Sequence, residues 1–212
     1  VEVTGSVVAT GNVSGAAGTF TGDVSGAAGT FTGDVSGAIG TFNDGLRSKG
    51  AGAGSFRAGT SAGLVNQGTN SVALGLYAGQ NDQLAQATAV GYQAGRNDQG
   101  SGAVSVGYLA GATTQGGNAV AVGNASGVTS QNVNSVAVGY YAGNATQGGY
   151  SVAVGNAAGF SAQGSTSVAV GKEAGKTTQG ASAVAVGVSA GTTSQGGNAT
   201  AVGDRAGRDN QG

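Results

Sequence analysis

The sequence predicts an all-β chain, a parallel β-solenoid or β-roll wound from sixteen-residue coils, and three features carry that reading. Glycines recur every sixteen residues at Gly75, Gly91, Gly107, Gly123, Gly139, Gly155, Gly171, Gly187 and Gly203, without an insertion or deletion. A second glycine follows each by four, from Gly79 to Gly207, and a glutamine keeps the same beat from Gln67 to Gln211. Ahead of the first glycine stands V-A-V, a short apolar word of alternating size that reads as a strand closed by a turn, with no helical period. A unit restated at a fixed interval stacks on its own copies, each coil covering the next.

Composition narrows the alternatives. Glycine makes up 46 of 212 residues, and Pro, Cys, His, Met and Trp are absent. Collagen is excluded because there is no G-X-Y period and no proline, and the in-phase valines and alanines argue against disorder. Eight basic against nine acidic side chains give a net charge of -1, which lacks the basic footprint of a nucleic-acid partner. Apolar runs stop after a handful of residues, against about 20 for a membrane helix, so no membrane insertion is expected. The opening residues VEVTGSVVATG lack the layout of a signal peptide, and the missing initiator Met points to processing or to a segment of a longer chain. Without cysteine there is neither a disulfide framework nor a thiolate metal clip.

Taken in chain order, the first element is a separate beat of eleven residues: GNVSGAAGTFT from Gly11, GDVSGAAGTFT from Gly22 and GDVSGAIGTFN from Gly33. Eleven residues are few for a closed coil. Residues 1–43 are therefore expected to form a slender shaft of three intertwined chains, with Phe20, Phe31 and Phe42 clustered on a shared axis. Residues 44–55, DGLRSKGAGAGS, are a glycine-rich linker. Residues 56–212 form the roll, each coil holding two short strands and two turns.

Within the roll, strand alternation sends the column Ala73, Ala89, Ser105, Ala121, Ala137, Ala153, Ala169, Ala185 and Ala201 to one side. The flanking columns face the other way. One holds Val72, Val104, Val120, Val136, Val152, Val168 and Val184, with Thr88 and Thr200; the other holds Leu74, Val106, Val122, Val138, Val154, Val170 and Val186, with Val90 and Val202. Both sides are apolar, and two arrangements follow. In a thin roll alanine fills the interior, and valine forms a seam between side-by-side chains of a homotrimer. In a thicker roll valine lies inside, alanine meets water and the chain is monomeric. The thin roll is favoured, because one coil buries too little apolar surface to offset the ordering of sixteen glycine-rich residues.

Catalysis and cofactors are not expected: the chain has no His or Cys, and its acids are scattered. Asp82 and Asp98 share a column, as do Asp23 and Asp34; stacked carboxylates suit a cation, but the calcium-binding G-G-x-G-x-D nonapeptide is missing, which favours solvated charges. The glutamine column reads as a structural amide ladder. Tyr92, Tyr108 and Tyr140 share the place after the strand glycine, with Tyr77 and Tyr141 one place on. Such rings stack on glycans, or cover turns and subunit seams. Threonines including Thr113, Thr114, Thr177 and Thr178 raise ice binding as a minor alternative, although regular T-x-T ladders are missing.

NSVALG at Asn70 to Gly75 and NSVAVG at Asn134 to Gly139 resemble the head repeat of YadA-like trimeric autotransporter adhesins, and related repeats occur in bacteriophage tail fibres. The resemblance covers roughly Ser55 to Gly212 and implies a left-handed parallel β-roll, three chains side by side, a role in attachment and no catalysis. The chain differs in placing A-G where the family has serine after the glycine, and its repeat is longer. The GDVSG and GTFTG words are similar to tail-fibre shaft repeats. The resemblance thus leads to a homotrimeric fibre of a phage virion, with other virion proteins as partners and a host surface glycan as a candidate contact. A bacterial surface adhesin or extracellular filament subunit is the alternative. The array ends at RDNQG without a polar cap, and a chain that continues beyond it is expected.

Overall fold

A computed structural model describes residues 52–212. The expected shaft, with Phe20, Phe31 and Phe42, and the pair Asp23 and Asp34 lie outside the described residues. Ten three-residue strands stack in one parallel sheet in strict chain order: Phe56–Ala58, Val72–Leu74, Thr88–Val90, Val104–Val106, Val120–Val122, Val136–Val138, Val152–Val154, Val168–Val170, Val184–Val186 and Thr200–Val202. Each pairs with the strand one coil on in the same register, as in Val136↔Val152, Ala137↔Ala153 and Val138↔Val154. Pairing in chain order without a crossover is what a solenoid requires. The described chain is therefore all-β, a parallel β-solenoid of about ten turns, with rungs spaced by about 4.8 Å.

The glutamine side of each coil is less regular. Paired strands occur there only at Asn81–Gln83 with Asn97–Gln99, Thr146–Gln147 with Ala162–Gln163, and Thr193–Gln195 with Asp209–Gln211. Isolated bridges such as Gln99↔Gln115 and Gln115↔Gln131 continue the ladder between them. The residue before the glutamine is left-handed at Asp82 (φ +52°), Asp98 (φ +52°), Ser130 (φ +50°) and Ser194 (φ +49°), inside the paired strands as well as outside them.

Orientation of the strands decides which of the two columns lines the interior of the roll. The alanine column points inward, with Ala73, Ala89, Ala121, Ala137, Ala153, Ala169 and Ala185 all at 0 % exposure. A second column, Ala78, Ala94, Ala110, Ala142, Ala158, Ala174 and Ala190, meets it from the next corner and is equally buried. Valine is on the outside, half-buried. Two facing rows of methyl groups make an interior too thin for branched side chains, and glutamine closes its remaining side.

That glutamine is buried and works as a tie between coils. Gln83 Nε2 lies 2.8 Å from the Val72 carbonyl, 3.3 Å from the Ala87 carbonyl and 3.0 Å from Gln99 Oε1, so one amide bridges its own coil and the next. The amide-to-amide chain runs unbroken from Gln67 to Gln131 and again from Gln179 to Gln211. Oε1 is buried without a hydrogen bond in Gln147 and Gln163, between these runs, and in Gln67 and Gln179, which begin them.

One corner tests the price of left-handed backbone. Its residue is Asn at Asn70 (φ +56°), Asn118 (φ +55°), Asn134 (φ +56°) and Asn198 (φ +61°), the non-glycine type that tolerates this region best. Thr166 holds the same place at φ +58°, where a β-branched side chain is strained. Thr166→Asn is expected to stabilise the roll by about 1 kcal/mol and to raise Tm by roughly 2–4 °C. Thermal unfolding followed by circular dichroism checks it.

Candidate functional site: an outer valine ladder and an aromatic column

Alternation within a three-residue strand, closed by glycine, places two side chains outward for each one inward. Val72, Leu74, Val104, Val106, Val120, Val122, Val136, Val138, Val152, Val154, Val168, Val170, Val184 and Val186 accordingly share one outer face, each half-buried. Register puts like beside like from coil to coil, Val120↔Val136↔Val152↔Val168↔Val184. Main-chain polar groups under this strip are consumed by the ladder: Val136 N–H donates to Ser151 O at 2.9 Å and Gly139 N–H to Val122 O at 2.8 Å. Neither column contains a charged residue. The result is an apolar strip, two side chains wide, interrupted by Thr88 and Thr200.

Immediately past the strand glycine stands the aromatic column. Tyr92, Tyr108 and Tyr140 are 39 %, 50 % and 49 % exposed. Tyr92 and Tyr108 lie face to face, with centroids 5.2 Å apart and planes within 9°. The faces they turn to each other are thus covered by each other. Asn124 separates Tyr108 from Tyr140 in the column, and Tyr140 packs edge-on against Tyr141 at 4.2 Å. Tyr141 in turn meets Phe160 edge-on at 5.9 Å. Phe160 was not signalled by the sequence, because its own column is mixed, with Gln80, Arg96, Ala112, Val128, Asn144 and Lys176. Tyr77 supports the guanidinium of Arg96, 5.7 Å from its ring centroid, a cation–π contact. Arg96 Nε also donates to Gln80 Oε1 at 3.1 Å, and Gln93 Nε2 donates to the Tyr92 hydroxyl at 3.0 Å.

The remaining charged side chains are dispersed. Asp82 accepts from Asn66 Nδ2 at 2.7 Å, and Asp98 is exposed one coil on. Among the described residues no three His, Cys, Asp or Glu side chains gather as a metal-ligand set. Lys176 Nζ donates to Glu173 Oε1 at 3.0 Å and holds that carboxyl below its ordinary range. The pair is about one-third exposed, which limits its worth to stability. No protein-family model, curated protein or solved structure matches the chain.

Proposed function

We infer that the chain is a non-enzymatic structural protein of a phage virion, a homotrimeric tail fibre or similar appendage that acts as a stiff, multivalent spacer in host attachment. The observation that carries this reading is the outward valine strip. A contiguous apolar surface of this kind marks an interaction site, and its sixteen-residue period makes a further copy of the same chain the partner with matching spacing. Three chains packed strip to strip bury the valines along a common axis and leave the remaining corners facing solvent. The eleven-residue repeats, similar to fibre-shaft words, favour a virion over a bacterial surface. The absence of His and Cys and the thin alanine interior fit a role in spacing, without chemistry.

Native mass spectrometry tests the assembly. A stable three-fold species is expected, and a well-folded single subunit would overturn the seam. Replacing Val136, Val138 and Val152 together by Asp is expected to shift the mass to the monomer, because like charges then face one another at the axis without water.

A further inference from the structure

We propose that Tyr92 and Tyr108 form an oxidative coupling site, where a haem peroxidase and hydrogen peroxide join the two phenols into a dityrosine that staples consecutive coils. The inference rests on single-chain geometry and does not require the trimer.

Three observations converge on this pair. First, the two rings are held parallel on adjacent rungs, centroids 5.2 Å apart, and both are exposed, at 39 % and 50 %. Their backbones are tied by the ladder: Gly107 N–H donates to Val90 O at 2.8 Å and Leu109 N–H to Tyr92 O at 2.9 Å. Second, the sequence has no Cys, Met, Trp or His, so the side chains that usually intercept an oxidant before tyrosine does are missing throughout. Third, the other close pair is less suited to coupling. Tyr140 and Tyr141 are sequence neighbours with ring planes at 67°, and Tyr141 is also engaged by Phe160.

Chemically, each phenol gives up one electron and one proton, the two radicals join through a new carbon–carbon bond ortho to the hydroxyls, and the displaced ring hydrogens move to oxygen and restore both phenols. The O–O bond of one peroxide breaks and takes up the two electrons and two protons as two waters. The Gln93 hydrogen bond to the Tyr92 hydroxyl opens as the ring turns.

The experiment exposes the intact protein to a haem peroxidase and hydrogen peroxide, reads blue dityrosine fluorescence, and maps tryptic peptides. Cleavage after Arg96 separates the two tyrosines, so coupling is expected to appear as two peptides linked at a mass two hydrogens below their sum. Tyr92→Phe and Tyr108→Phe are each expected to remove the linked species, and Tyr140→Phe to leave it. Unfolding light and heavy isotope-labelled chains together and refolding the mixture before oxidation reports whether the link lies within one chain, as expected. A link between chains, a link mapped to other tyrosines, or no link at all would overturn the proposal.

Discussion

Gly139→Val is expected to cost the roll about 4 kcal/mol or more, enough to disrupt its cooperative unfolding. Two causes add. Gly139 has φ +133°, a region that a β-branched residue does not adopt without strain. A Cβ built there would also lie 2.5 Å from the carbonyl oxygen of Gly155 in the next coil. That atom belongs to the stacked backbone and has no rotamer by which to retreat. Gly149→Ala is the contrast: its φ is not left-handed, and the nearest atom to an added Cβ is the Val133 oxygen at 3.4 Å, an ordinary contact. Ser165 and Ala181 already occupy that column. Chemical denaturation of both variants checks the difference, and equal midpoints would contradict it.

Gln115→Leu is expected to cost about 3 kcal/mol or more, although it replaces a polar by an apolar side chain in the interior. Gln115 is 1 % exposed. Its Nε2 serves the carbonyls of Val104 (3.0 Å) and Ala119 (3.2 Å) and Gln131 Oε1 (3.1 Å). Its Oε1 accepts from Ser105 Oγ at 2.7 Å and Gln99 Nε2 at 3.2 Å. Leucine fills the space and leaves these groups short of partners, each at about 1–3 kcal/mol where no other bond replaces the lost one. Urea unfolding measures the loss. An unchanged midpoint would show that the amide chain contributes packing alone.

Much of this was legible because every coil obeys the same constraints. The strand and the glutamine ladder follow from columns that agree coil after coil. What the pattern left open was which side of the V-A-V strand faces in, since both sides are apolar; the answer lay in the second alanine row from Ala78 to Ala190, which fits against the first only with methyl-sized groups between. Less legible were the left-handed residues that are not glycine. Tyr77 (φ +58°), Leu109 (φ +56°), Tyr141 (φ +57°), Glu173 (φ +58°) and Arg205 (φ +54°) share one corner and no common chemistry. There the conformation is imposed by stacking on the neighbouring coils, and side-chain preference is overridden. Serine hydroxyls also went unread: Ser71, Ser135 and Ser167 each bond the carbonyl three residues back, at 2.8, 2.6 and 2.7 Å. Ala87 and Ala103 hold the same place without a hydroxyl, so the bond is optional and leaves no strict signature.

In-register pairing one coil apart also bears on how the chain reaches its native state. Among the described residues each strand pairs with those a single winding away, so loop closure between them is brief and costs little compared with a sandwich of the same length. Once a first winding has closed, the next segment finds a finished template beside it. Growth should then proceed like a zipper from whichever end or middle nucleates first, with stability accumulating approximately as a sum of nearest-neighbour terms.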